Sequence, residues 1–251
     1  MTGLRHIGPV REDALLGGRV RMRQPVDGYR VAIDPVLLAA AVPVRAGESV
    51  LDLGCGVGAA ALCLLARQPE ARVLGLEIQP DLAALAASNA EANGAASHFS
   101  VVAGDLLTPP LKADGAGFDH VMANPPYLSA ESARRPDNHS RAIANVEGAA
   151  RLANWVAAAL ALCRPRGTIT FIHRADRLDR LLAALTGQAG AIVVFPLWPM
   201  PGKDAKRVLV QARKDIKTPT RMAAGLTLHV AGGGFTQPAE AVLRGETPLT
   251  L

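Results

Sequence analysis

Aromatic residues are scarce in this chain of 251 residues, at 4% of the total, so Ala and Leu must carry most of the core. Cysteine is scarcer still. Cys55, Cys63 and Cys163 form an odd set, which excludes a closed disulfide framework, and none stands at metal-ligand spacing from a pair of histidines. No metal is expected. The longest apolar run, Leu152 to Cys163, contains Asn154 and is too short to cross a bilayer. The opening Met-Thr-Gly-Leu-Arg-His has no apolar signal core, and a reducing cytoplasm is the expected compartment. Internal repeats and low-complexity segments are absent. With 49% apolar and 20% charged residues, the composition is that of one globular α/β domain with modest additions.

What the chain does have is positive charge, +5 overall with a pI near 9.5. Between Met200 and Arg221 stand Lys203, Lys206, Arg207, Arg213, Lys214, Lys217 and Arg221 against only Asp204 and Asp215. Such a stretch is either a solvated face or a phosphate-contacting one. Residues 1–18 carry little pattern and read as loose. Arg19-Val-Arg-Met-Arg23 then alternates strictly, placing Arg19, Arg21 and Arg23 on one face of a strand. A turn at Gln24–Gly28 and a return at Tyr29–Val31 would complete a small hairpin. Asp34 is expected to cap a helix with Pro35 in its first turn, running to about Val42.

From Ser49 onward strands and helices alternate. Ser49–Leu53, Arg72–Glu77, Ser97–Ala103, Phe118–Ala123 and Gly167–His173 read as strands. Helices follow the glycine loop to about Arg67, then run Pro80–Asn93, Val146–Leu162 and Asp176–Leu185, and Ala191–Leu197 with Arg207–Ala212 reads as a closing pair. This alternation specifies a mostly parallel sheet with helices on both faces. Residues 1–48 are expected to form an N-terminal extension, 49–214 the core domain, and 215–251 a tail of unassigned role.

Two motifs sit at strand ends, where open α/β sheets place their ligands. The first is Asp52-Leu-Gly-Cys-Gly-Val-Gly58, whose glycines let backbone approach a ligand closely. By itself it fits a dinucleotide as well as S-adenosylmethionine (SAM), with Glu77 at the spacing of a ribose-binding acid in either case. The second is Asn124-Pro-Pro-Tyr127. Its prolines end the strand and fix a rigid turn. The turn presents the Asn124 side-chain carbonyl and the Pro125 backbone carbonyl side by side, with the Tyr127 ring next to them. Two acceptors and a flat ring suit an exocyclic planar amino group.

Taken together, the Asp before the loop, the third glycine at 58, Gly104-Asp105 and Asn124-Pro-Pro-Tyr127 resemble a class I SAM-dependent methyltransferase of the Asn-Pro-Pro-Tyr type. The chain is similar above all to the bacterial valine-tRNA adenine-N6 methyltransferases. Gln24-Pro-x-x-Gly-Tyr-Arg30 and Pro199-x-Pro-Gly-Lys-x-x-Lys-Arg207 add to the likeness, which covers about residues 18–214. It implies a Rossmann-like, mostly parallel seven-stranded sheet with a small N-terminal hairpin and helix. It further implies that Asp52, Gly54 and Gly56 hold the methionine part of SAM, Glu77 the ribose hydroxyls, and Asp105 with Leu106 the adenine. Asn124, Pro125 and Tyr127 would then act on the acceptor, an adenine in tRNA at position 37. Arg19, Arg21, Arg23, Lys203, Lys206 and Arg207 would meet RNA. Asn-Pro-Pro-Tyr is shared with DNA adenine, rRNA guanine-N2 and protein glutamine methyltransferases, so those acceptors remain open at this point, as does a non-catalytic RNA-binding scaffold.

Overall fold

The computed structural model describes residues 8–26, 31–111, 117–126, 128–129, 146–147 and 151–251. Strands β1 (Val10–Leu15) and β2 (Val20–Pro25) form an antiparallel hairpin through a 3₁₀ turn at Leu16–Gly18. The hairpin partner of β2 therefore precedes it in the chain. The expectation that residues 1–18 are loose is corrected for 10–15, and the expected return at Tyr29–Arg30 lies outside the described residues. In β2 the alternation holds: Val20 and Met22 are buried while Arg21 and Arg23 are exposed. Helix α1 (Asp34–Ala41) follows. Asp34 lies inside its first turn rather than at the cap, and its carboxylate takes the Arg207 guanidinium at 3.0 Å.

Next come β3 (Ser49–Leu53), α2 (Ala59–Leu65), β4 (Arg72–Glu77), α3 (Pro80–Ala92), β5 (Phe99–Ala103) and β6 (Phe118–Ala123). Two short paired strands, β7 (Leu128–Ser129) and β8 (Val146–Glu147), precede α4 (Leu152–Leu162), which starts later than its sequence pattern suggests. The chain continues through β9 (Cys163–Arg174), α5 (Leu178–Leu185), β10 (Ala189–Trp198) and β11 (Arg207–Lys214). It then adds β12 (Arg221–Met222), β13 (Leu226–Thr227) and α6 (Gln237–Leu243).

Seven of these strands make the expected sheet in the order β5-β4-β3-β6-β9-β11-β10, with only β11 antiparallel to its neighbours. The tail extends it, because β12 and β13 both pair in parallel with β10. Apolar residues fill both faces, as buried parallel strands require. One core cluster lies beneath α1, α2, α3, the β1–β2 hairpin and α6; the other lies beneath α4 and α5. Among the described residues no helix is long and apolar enough to cross a membrane.

Candidate active site

The parallel register creates the site. Leu53 pairs with Leu76 on one side and with Ala123 on the other. The residues that follow, Gly54, Glu77 and Asn124, therefore leave the sheet in one row. At a strand spacing near 4.8 Å, Glu77 and Asn124 flank the glycine loop about 10 Å apart. Asp105 joins the row two residues beyond Ala103, the partner of Glu77.

The glycine loop is held tightly on two sides and is open on a third. The Gly54 and Cys55 amides both donate to the Leu76 carbonyl, at 2.8 and 3.1 Å. Gly54 has φ +73, and a Cβ there would run into the Trp155 ring of α4. Gly58 has φ +85, and a Cβ there would stand 2.7 Å from Phe99. Gly56, at φ +56, faces open space. Its amide donates to Glu77 Oε2 at 2.9 Å, while the Gln79 amide donates to Oε1 at the same distance.

Two carboxylates are buried here, Asp52 at 3% and Glu77 at 6% exposure. Burial drives the Asp52 pKa up to about 7, against the Ala61 amide, which lowers it, and with the Glu77 charge, which raises it further. Burial also raises Glu77, opposed by the Gln79 and Gly56 amides. Among the described residues Asp52 Oδ2 and Trp155 Nε1 have no hydrogen-bond partner. A desolvated acidic pair beside a bare backbone cradle is what a cationic ligand would relieve. A sulfonium that also carries an α-ammonium fits that donor and acceptor set.

Beyond Glu77, Ile78 is 55% exposed, an apolar wall at the strand end. Asp105 is half-buried and its Oδ1 accepts the Leu107 amide at 2.9 Å, which shapes the turn that carries Leu106. Asn124 is half-buried and Pro125 buried; Tyr127 lies outside the described residues. Sequence reasoning missed Trp155 and Ile78. Trp155 was hidden in an ordinary apolar helix, whereas an apolar residue directly after the strand-end acid was a readable signal for Ile78.

The basic candidates separate. Lys203 and Lys206 are exposed in the connection between β10 and β11, on the same sheet edge as Asn124. Arg207 is tied to Asp34. Arg23 stands beside the glycine loop, because Asn89 Nδ2 donates both to its carbonyl and to that of Val57, each at 2.9 Å. Arg19 is about 13 Å down the strand from Arg23. Its guanidinium binds the Ala66 and Gly245 carbonyls. Among the described residues, no three His, Cys, Asp or Glu side chains gather as a metal site.

The methyltransferase small domain family matches residues 30–150. A tRNA1(Val) (adenine(37)-N6)-methyltransferase of Porphyromonas gingivalis is 36% identical over 195 residues, covering 73% of this chain and 74% of its own length. A protein of the same name from Actinobacillus succinogenes is 32% identical over 189 residues, covering 75% and 78%. The chain belongs to the tRNA1(Val) (adenine(37)-N6)-methyltransferase family.

As a member of that family it is a SAM-dependent methyltransferase, and SAM is its cofactor. A crystal structure of a predicted O-methyltransferase from Agrobacterium tumefaciens superimposes with a TM-score of 0.72 at 26% identity, over 86% of this chain and 98% of that one. The geranyl diphosphate C-methyltransferase of Streptomyces coelicolor A3(2), solved with S-adenosyl-L-homocysteine, shares the fold alone: TM-score 0.53 and 12% identity over 72% of this chain and 74% of that one. The cradle fits the cofactor of the family. Gly56 faces open space between strand ends, and the buried carboxylates of Asp52 and Glu77 stand beside it, so these residues would be the ones to hold SAM.

Proposed function

We propose that the enzyme methylates the exocyclic N6 of an adenine in tRNA, at position 37, the acceptor named for its relatives. The observation that carries this reading is the row formed by Gly54, Glu77 and Asn124, with buried Pro125 following in a proline-locked turn. SAM supplies an electrophilic methyl group. The protein's part is to present a poor nucleophile to it. Adenine's amino lone pair is delocalised into the ring, and its two N–H groups would donate to Asn124 Oδ1 and the Pro125 carbonyl. Those bonds strengthen as positive charge develops on nitrogen, so they favour the transition state over the ground state. Holding the amine in line with the methyl group supplies much of the remainder. Tyr127 would stack on the base, which an anticodon loop presents unpaired.

A hydroxyl acceptor has one proton and would leave one of the two carbonyls unused, which disfavours oxygen methylation. The test is methyl-labelled SAM offered with unmodified tRNA and, separately, with protein extract. Label recovered as N6-methyladenosine is expected, and label only in protein would sink the reading. Asn124→Ala is expected to cut turnover by about 10²–10³-fold while SAM affinity, read by calorimetry, stays near wild type.

A further inference from the structure

The tail after β11 places a hairpin on the edge of the sheet that carries the site. Strand β13 runs parallel to β10, so both end at the same edge as β3, β4 and β6. The chain then turns through residues 229–235, closed by a bridge between His229 and Phe235. Its base is firmly held. The Leu228 and His229 amides donate to the Trp198 and Pro199 carbonyls at 2.8 and 3.1 Å, and the Thr236 amide donates to the Leu228 carbonyl at 2.8 Å. Thr236 Oγ1 donates to the Thr227 carbonyl at 2.7 Å and accepts from the Ala239 amide as the cap of α6.

These bonds set the hairpin directly beside the Pro199–Lys206 connection, where Lys203 and Lys206 are exposed. The His229 ring stacks on Phe235 with centroids 4.7 Å apart, and Phe235 itself packs on the core. His229 Nδ1 lies 3.2 Å from the Gly234 carbonyl. A carbonyl only accepts, so Nδ1 is the donor in this contact and Nε2 is left for another partner. The tip, Gly232–Gly234, has no side chains, and Met200 and Val230 are exposed apolar residues at 38% and 43%.

We propose that the His229–Phe235 hairpin, with Lys203 and Lys206, is a contact surface for the RNA substrate, stacking a nucleobase on its ring pair and placing the lysines on phosphates. The chemistry matches single-strand recognition, in which aromatic faces take bases and flanking cations take the backbone. His229 Nε2 supplies a hydrogen-bonding partner for a ribose 2′-hydroxyl, which both donates and accepts. Asn124 lies four strand spacings away, about 19 Å along the same edge, so the surface meets nucleotides flanking the target rather than the target itself. It depends on the RNA reading given above.

The experiment measures the affinity of unmodified tRNA transcript by fluorescence anisotropy, and its methylation, for wild type, His229→Ala, Val230→Glu and Met222→Glu. Met222 serves as control, an exposed tail residue on β12 opposite the middle of β10. His229→Ala and Val230→Glu are expected to weaken tRNA binding by about tenfold with SAM affinity unchanged; Val230→Glu keeps the wild-type Tm, whereas His229→Ala loses the stack on Phe235 and melts slightly earlier. Met222→Glu is expected to match wild type. A wild-type enzyme that methylates tRNA, with both hairpin variants binding as it does, overturns this surface and leaves the acceptor assignment standing. A wild-type enzyme that neither binds nor methylates tRNA removes both.

Discussion

At the scale of residues, the glycine loop makes a sharp distinction between neighbours that look interchangeable. Gly56 faces open space and Gly58 faces Phe99, yet both have positive φ. Gly56→Ala is expected to cost about 1–2 kcal/mol of stability from backbone strain alone and to abolish SAM binding by filling the cradle. Gly58→Ala adds overpacking of about 1–3 kcal/mol and should melt earlier than Gly56→Ala. Thermal melts with and without SAM separate the two. Asp52 carries the pH dependence. Its raised pKa means that the folded chain keeps a proton that the unfolded chain releases. The stability this contributes to the SAM-free protein is full below roughly pH 4 and is lost as pH rises through about 7. His173 works in the opposite sense: burial, with the Arg177 charge, lowers it to about 4. Its contribution is present above the ordinary histidine range and is lost as pH falls towards 4. Asp52→Asn is expected to raise the SAM-free Tm at pH 8, leave it near wild type at pH 4, and weaken SAM binding. A flat comparison across that range would remove the charge argument.

At the scale of elements, the C-terminal segment belongs to the framework of the cofactor loop. Arg67, just past α2, donates to the Thr247 carbonyl at 2.8 Å and to the Val242 carbonyl, and the Leu249 amide donates to Ala40 of α1. Arg67→Ala is expected to cost about 2 kcal/mol, read as a fall in Tm of roughly 4–8 °C. None of this was legible in the sequence. Strands of two residues such as β12 and β13 have no periodicity, and their pairing with β10 is decided by tertiary contact. The strand β1 was missed because Arg11, Glu12 and Asp13 give it little apolar signal. In contrast, β3, β4, β6 and the loops after them were readable, since buried parallel strands announce themselves as apolar runs and a glycine loop punctuates them. Asp52, Gly54, Glu77 and Asn124 could be placed at strand ends from the sequence alone. That Gly54, Glu77 and Asn124 stand in one row, with Asp52 level with Gly75 and Met122 behind it, required the register. Trp155 could not be assigned, because nothing local separates a ring that closes a loop from one that fills a core.

At the scale of the whole molecule, the basic stretch divides. β11 carries its two halves to opposite edges of the sheet: Lys203, Lys206 and Arg207 at one end, Arg213, Lys214 and Lys217 at the other, roughly 20 Å away. At that far end Arg213 binds the Arg166 carbonyl and Lys214 the Cys163 carbonyl. Replacing Lys203 and Lys206 with Ala should therefore flatten the salt dependence of tRNA binding by about 1.4 in log–log slope. Replacing Arg213 and Lys217 should leave the slope unchanged. Equal effects from both pairs would mean that RNA embraces the whole sheet edge to edge.

The bond from Arg19 to Gly245 joins residues 226 positions apart, and Arg67 reaches a further 175 and 180. During synthesis on the ribosome, β2 and α2 emerge early but lack these partners until residues 242–247 have been made. The half of the sheet that carries the glycine loop therefore completes its packing only after residues 242–247 have joined the chain.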